Sequence, residues 1–403
     1  MSRGDIWWSN AIFFTGMHAA ALYGATQLSP WSHLHSYTLA LCFVSWQLAS
    51  FGITLGYHRL WSHNAYQARM PLRIALAFMG SLGFQGSIKW WVVRHRLHHR
   101  FTDDPVHDPY SAELGLLWSH CGWIYYKKPY PRMKLIEKSD LDSDPVVRFQ
   151  HRHYVSIALI AGLVLPAAIG SLWGDALGGF VWGGIVARLL IWHCTFMINS
   201  LAHWTGEQPY SDENSSRGTF LIALCTSGEG NHNFHHAFPR DYRNGPAFGD
   251  WDPTAWILSL LHKFTNQIPL LHHISQADYL KAKSSMLLLE ASKLHAQIPV
   301  DSLPRDDNEL PQWSEQQVKQ YVQLEDEKEK DARVVLLIDE YLVDVSAYAT
   351  THPGGRSILE RWRVQPQQVS LKDSTKAFHG LVNRHSKGAK ETMRLLRVAK
   401  LKR

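Results

Sequence analysis

Long apolar stretches cover residues 6–27, 36–56, 154–173 and 178–199. Each approaches or exceeds the ~20 apolar residues with which a helix crosses a bilayer, so the pattern predicts four membrane-spanning helices. A fifth apolar run, residues 71–88, carries Arg73 and Gln85 and leads into Lys89. It is expected to lie at the interface or to re-enter, because a crossing there would put the polar clusters on its two flanks on opposite faces of the membrane. The links at residues 28–35 and 174–177 carry almost no charge, whereas residues 57–153 hold many Lys and Arg. The positive-inside rule then places that long loop and both termini in the cytosol. The first span is too long for a cleavable signal and should remain as an anchor.

Beyond residue 262 the pattern changes. Residues 263–310 hold an amphipathic helical stretch, including 279–296, and then a Pro- and Asp-containing linker around 302–307. A small soluble domain is expected over 311–403. Within it, residues 333–348 read as two short strands around an Asp339-Glu340 turn. The boundaries are therefore 1–262 for a membrane domain, 263–310 for helix and linker, and 311–403 for the soluble domain.

The formal net charge of +6 calls for no nucleic-acid partner, since the charges concentrate in the expected cytosolic loops and tail and a lipid surface accounts for them. Four cysteines, two of them inside spans and none in a C-x-x-C pair, suit a reducing compartment without a disulfide framework. Histidine changes the picture. Three clusters, His58 with His63, His95 with His98 and His99, and His232 with His235 and His236, flank the apolar runs, and His203 stands apart.

Residues three and four apart share a helix face, so each triplet reads as a ligand face. His58 and His63 are five apart, which on an ideal helix splays them by about 140°; that box is expected at a helix end, where it could serve two metals. Lone histidines such as His18 and His193 are expected to be ordinary hydrogen-bonded residues. Asn199 lies one turn before His203 on the same face. Imidazole alone does not name the metal. Nine candidates exceed the needs of one zinc and point to two metals with open positions, just above the cytosolic surface. Paired helices bearing Glu-x-x-His are not expected to supply the ligands.

The order H-R-L-W-S-H, H-R-L-H-H, N-S-L-A-H, G-E-G-N-H-N-F-H-H, set between four spans, resembles the acyl-CoA delta-9 (stearoyl-CoA type) desaturase family over roughly residues 6–262. The resemblance implies an all-α four-helix transmembrane protein whose cytosolic helical cap holds a di-iron site. It implies ligation by His58, His63, His95, His98, His99, His203, His232, His235 and His236, with Asn199 contacting one iron through water. It implies O2-dependent insertion of a cis double bond, at delta-9 of palmitoyl- or stearoyl-CoA. Breaking an unactivated methylene C–H bond needs a redox metal, with the protein supplying position. Gln85, Trp91 and Thr195 match residues that bend the acyl chain. Trp46 and Ser50 match the closed end of the tunnel, with Trp46 as its floor. Lys127 and Lys128 match a basic pair that meets the coenzyme A phosphates, and Asn10 matches a polar contact. The chain departs from animal relatives at Val93-Arg94 and at Ser9.

The soluble domain carries His352-Pro353-Gly354-Gly355 and a later segment, residues 377–386, with His379 and His385. It resembles the α+β fold of cytochrome b5, fused C-terminally in the fungal arrangement. The resemblance implies a haem b held by His352 and His385, with His379 the alternative. Bis-imidazole ligation leaves no open site, so such a haem transfers electrons. Residues 361–370 lengthen the usual spacing, and Gly380-Leu381 replaces a Gly-Gly. No dinucleotide fingerprint stands out, so NADH-cytochrome b5 reductase is expected as a separate partner. Family and topology imply the endoplasmic reticulum membrane. The competing readings are another histidine-box lipid oxidase, such as an acyl hydroxylase, and a non-catalytic membrane metal or haem protein.

Overall fold

Three helices are long and apolar enough to cross a membrane: Ser36–Ser62, Pro145–Ser171 and Ala176–His203. The computed structural model describes residues 4–28, 35–247, 249–297, 308–324, 332–381 and 385–402. Trp8–Gln27 also forms a 20-residue helix, α1, where the first span is expected. It is not among the three, because Asn10, Thr15, His18 and Thr26 dilute its apolar character. Among the described residues, three of the four expected spans are therefore met by length and composition. We call Ser36–Ser62 α2, and Pro145–Ser171 and Ala176–His203 become α6 and α7 below. All three run past the apolar stretches that predicted them, since backbone hydrogen bonding does not stop where hydropathy does. These extensions lift His58 and His203 beyond the apolar runs.

Between α2 and α6 lie α3 (Met70–Leu82), α4 (Ile88–Arg100) and the short α5 (Leu116–His120). A helix of 13 residues spans about 20 Å, less than the ~30 Å hydrocarbon core, so α3 is too short to cross, as expected of that run. Apolar side chains remain exposed along α1, α2 and α6, among them Leu22, Phe43, Val155 and Ile160. The polar cap packs on a core built from Tyr57, Tyr66, Leu76, Ile88, Leu97 and Leu258. Gly52 and Gly80 let the backbones of α2 and α3 meet: a Cβ on Gly52 would fall on the Gly80 nitrogen. The cap is completed by α8 (Phe220–Cys225), α9 (His232–Ala237) and α10 (Pro253–Phe264). Two-residue pairings tie its ends, Asp5–Ile6 (β1) to Tyr126–Lys127 (β3) and Tyr66–Gln67 (β2) to Leu270–Leu271 (β4).

The chain divides into two compact units, Met1–Glu290 and Ala291–Arg403. Helix α11, Gln276–His295, covers most of the expected amphipathic stretch. The expected linker 302–307, most of the loop at 28–35 and residues 382–384 of the later histidine segment lie outside the described residues. The second unit is a four-stranded sheet in the order β5-β8-β7-β6, formed by Gln312–Trp313, Arg397–Leu401, Tyr341–Asp344 and Val335–Ile338. The expected hairpin is present. Its turn residues Asp339 and Glu340 have φ of 52° and 71°, the paired left-handed backbone of a type I′ turn. Helices α12 (Glu315–Gln323), α13 (Arg356–Trp362) and α14 (Lys387–Leu395) complete the unit.

Candidate metal centre and cavities

The last eleven residues of α2, Gly52–Ser62, are wound as π-helix. In that winding residue i bonds to i+5, and the His63 amide donates to the His58 carbonyl at 3.3 Å. Residues five apart therefore stack, and the splay expected from an ideal α-helix does not occur. The two rings lie 4.9 Å apart and join one group instead of serving two. The helix ends there, as expected, with His63 as its C-cap.

Ser87 caps α4 by accepting from the Trp90 amide, which fixes the helix carrying the second box. Its His95 and His99 are one turn apart and face the first group; His98 points to a second. Helix α9 divides likewise, His235 to the first group, His232 and His236 to the second. The groups are His58, His63, His95, His99 and His235, and then His98, His203, His232 and His236. In each, one ligand atom per residue lies within 4.8 Å of every other. All nine sequence candidates are thus brought together, and none is left over.

Polar partners orient several of the rings. His58 Nδ1 stands 3.0 Å from Glu229 Oε2, and His98 Nδ1 stands 3.0 Å from both Asp108 oxygens. His203 Nδ1 is 2.8 Å from Ser215 Oγ, whose hydroxyl donates to Asp103 at 2.6 Å. At His98 and His203 the Nδ1 must then carry the proton, which leaves Nε2 as a bare lone pair, while His58 Nδ1 meets Glu229 at ion-pair distance without a hydrogen bond. His58 Nε2 nonetheless faces His235 Nε2 at 3.0 Å, His203 Nε2 faces His232 Nε2 at 3.1 Å, and buried His98 Nε2 has no hydrogen-bond partner. Lone pairs converging in a buried pocket fit a cation between them. Burial, and then neighbouring imidazoles, pushes His63, His95, His99, His232, His235 and His236 well below the ordinary histidine value. They are neutral, the form that ligates.

A buried ion network backs this arrangement. Arg59, 1% exposed, donates to Glu229 at 2.9 Å and 3.1 Å, to Asp252 at 2.9 Å and 3.1 Å, and to the Tyr242 carbonyl at 2.7 Å. Asn244 also donates to Glu229. Burial would raise Glu229, but Arg59 and His58 hold it below the ordinary carboxylate value. Burial wins at Asp252, which is raised despite Arg59. Sequence reasoning missed these supports. Glu229 and His232 stand at Glu-x-x-His spacing, but Glu229 precedes the helix, lies outside both ligand groups and faces His58 Nδ1 instead. Arg59 and Glu229 sit inside the motifs and were findable; Ser215 carries no sequence signal.

Below the cluster a cavity of about 510 Å³ is lined by Asn10, Gln85, Trp91, His95, Thr195 and Asn199, among others. A narrow pocket of about 30 Å³ shares Trp91, His95, Thr195 and Asn199 and adds Ser50, His58 and Glu229. The three expected bend residues are joined: Gln85 Nε2 donates to Thr195 Oγ1 at 2.8 Å, and Trp91 Nε1 donates to Gln85 Oε1 at 3.3 Å. Trp46 lines neither space; it packs against the cluster that includes Phe14, Ala49 and Trp192. Lys127 is exposed on β3, while Lys128 donates to the Pro105 carbonyl at 2.5 Å and faces the Trp118 ring. Neither lysine lines the cavity. The departing residue Arg94 stacks 3.9 Å over Trp90, which does line it.

In the second unit His352 and His385 line one apolar cavity of about 410 Å³ with Leu336, Val343, Ile358 and Phe378. His385 Nδ1 is 2.7 Å from the Phe378 carbonyl, so Nδ1 carries the proton and Nε2 is a lone pair. His379 is outside that lining and pairs with Asp339 at 2.6 Å.

The sequence pattern described as fatty acid desaturase matches residues 28–244, more than half of the chain. The chain belongs to this family. It is 37% identical over 397 residues to the probable acyl-CoA desaturase of Schizosaccharomyces pombe, covering 97% of this chain and 77% of that relative. It is 35% identical to acyl-CoA desaturase 1 of Saccharomyces cerevisiae, covering 98% of this chain and 74% of the relative. With stearoyl-CoA desaturase 5 of Bos taurus it shares 35% over 265 residues, 64% of this chain and 78% of that one. The two fungal desaturases match through the C-terminal unit; the bovine match covers much less.

Proposed function

We propose that this chain is an acyl-CoA desaturase that inserts a cis double bond into a saturated fatty acyl chain. The observation that carries the reading is the pair of histidine groups, their Nε2 lone pairs converging directly beside a cavity shared by His95 and the linked residues Gln85, Trp91 and Thr195. The printed names of the fungal and bovine relatives support acyl-CoA as the substrate class.

Two irons held by the nine histidines, with Asn199 at the cavity side, would supply the dioxygen chemistry that an unactivated methylene requires. The protein's part is placement. Glu229, Asp108 and the Ser215–Asp103 pair hold the imidazoles, and a neutral, buried ligand set suits a metal with positions left open. The Trp91–Gln85–Thr195 link fixes the wall past which the chain bends, and Ser50, at the narrow pocket, marks the end toward which it runs. Asn10, Lys127 and Lys128 are assigned to the coenzyme A side. Helix α1 is assigned as the fourth span, with both termini cytosolic in an endoplasmic reticulum membrane.

The second unit is assigned as a cytochrome b5-like electron donor with haem b between His352 and His385, reduced by a separate NADH-dependent reductase. The apolar cavity flanked by both histidines supports this, as does the near-full-length match to fungal desaturases. Expression in a host lacking its own desaturase, with gas chromatography and double-bond localisation, tests the whole reading. A new cis alkene is expected; a hydroxy acid, or no product from protein that holds iron, would overturn it.

A further inference from the structure

Three imidazoles outside the metal groups form an unbroken hydrogen-bonded chain. His18 on α1 and His193 on α7 meet at Nε2 to Nε2, 3.0 Å apart. His193 Nδ1 then meets His120 Nε2 at 3.0 Å, and His120 Nδ1 meets Ser200 Oγ at 3.0 Å. Both ends are capped by groups that only accept. His18 Nδ1 lies 2.7 Å from the Phe14 carbonyl, and Ser200 Oγ lies 2.7 Å from the Phe196 carbonyl.

Counting protons decides what this chain is. It has five hydrogen bonds in sequence, each needing one proton, between two carbonyls that supply none. A neutral imidazole carries one N–H and serine one O–H, so three imidazoles and one serine carry four. With four, one link must bring two lone pairs together at about 3 Å, an unfavourable contact in a part-buried site. With five, every link is made, and His193, donating from both nitrogens, is the natural place for the extra charge. The nitrogens meet end to end and do not converge, so this is a wire and not a metal site.

Its position gives the wire a use. Phe14 and Phe196, whose carbonyls end it, both line the wide cavity, and Ser200 stands between Asn199 and His203. The proposed reaction consumes protons: –CH2–CH2– with O2, two electrons from a one-electron haem donor and two protons gives –CH=CH– and two waters. We propose that His18, His193 and His120 form a proton relay behind the cavity wall, holding one proton beyond the neutral complement and passing it along the chain toward Ser200, which is buried between the cavity-lining residues Phe196 and Asn199 and the candidate ligand His203.

The surroundings leave the charge labile. Among the described residues no Asp, Glu, Lys or Arg is hydrogen-bonded to these imidazoles. The titratable groups facing His193 are His120 and His18 themselves. Tyr125, which packs edge-on against Phe14 and bonds Thr15, and Cys121, next to His120, are the other titratable neighbours. Half-burial draws the His120 imidazole below its ordinary value while the Phe196 carbonyl acts to raise it. A proton held this loosely is a proton readily given up.

The inference rests on the desaturase reading, and the test separates the two. Full-length holoenzyme in lipid discs is compared as wild type, His193→Asn and His18→Gln, measuring kcat, KM and iron content across pH, and peroxide released per alkene. If iron-loaded wild type makes no alkene, the desaturase reading fails. If it is active, its kcat should fall as pH rises, with the fall lying below the ordinary imidazole value of about 6.5 because half-burial lowers His120. Both variants should keep iron content and KM, lose that alkaline limb, and release more peroxide. At low pH their kcat should drop by about tenfold, less than the ~10²–10⁴-fold of a proton donor that touches the reacting atoms. Should His193→Asn fail to accumulate, His18→Gln, at the far end and on another helix, carries the same outcomes. A wild-type pH profile in the variants, or a pH-independent loss that follows iron content, would overturn the relay.

Discussion

Glu229 touches three elements of the site at once: it accepts from Arg59, receives the Asn244 amide, and holds His58 Nδ1. Replacing it by Gln keeps the shape but removes the charge that both Arg59 and His58 use. Metal affinity should fall ~10–100-fold, the usual cost of losing such a support, with iron content after mild chelation as the readout; unchanged retention would contradict the assignment. Trp91→Phe deletes the donor to Gln85 while keeping the ring. The double bond should then spread over neighbouring positions, seen by mass-spectrometric localisation of products. At this scale the histidines were legible because their spacing is unusual in any chain. Asp103, Asp108 and Ser215 were not, since they reach the rings through turns, one of them at Asp103 with φ of 67°, that leave no periodic trace. His193, expected to be an ordinary hydrogen-bonded residue, is hydrogen-bonded, and at both nitrogens.

The elements depend on close backbone contact. A methyl on Gly52 would meet the backbone of Gly80 and Met79, which cannot swing aside as a side chain can. Gly52→Ala should cost about 1–3 kcal/mol or more through overpacking and shift α3 away from the π-helical end of α2. Thermal unfolding in detergent and iron content should fall together. Ser50→Phe, filling the narrow pocket, should move preference toward shorter acyl chains, whereas Trp46→Ala, outside that lining, should change it less. In the second unit Asp344 accepts from Tyr321, Arg333 and Ser346 at 2.6–3.0 Å. Burial alone would raise its carboxyl, but these donors hold it below the ordinary value. Its folded value is depressed, so its stabilisation is present above the ordinary carboxylate value near 4 and is lost as pH falls below it. Asp344→Asn should cost about 1–3 kcal/mol at neutral pH, a difference that shrinks in acid, measured by unfolding of that unit in the full chain. The helices and the Asp339-Glu340 hairpin were readable from periods and turn residues. The π-helix was not: hydropathy reports which face is apolar and says nothing of how many residues complete a turn.

For the whole molecule, the C-terminal unit, as the proposed electron donor, would act through its tether. A chain ending at residue 297 should keep its iron yet lose turnover with NADH and reductase, and regain it when a soluble cytochrome b5 is added at about millimolar, the local concentration a short tether supplies. Full turnover of the truncated chain without added donor would show that the unit serves another purpose. The candidate ligands are drawn from residue 58 to residue 236, across α2, α4, α7 and α9. Bound iron would therefore clip together segments that synthesis makes far apart, and any ligand binding only the folded state adds about 2.7 kcal/mol at a hundredfold excess over its Kd. Nutrient supply would then govern longevity: a polypeptide starved of iron would lose that clip, open more often, and be removed sooner by quality control.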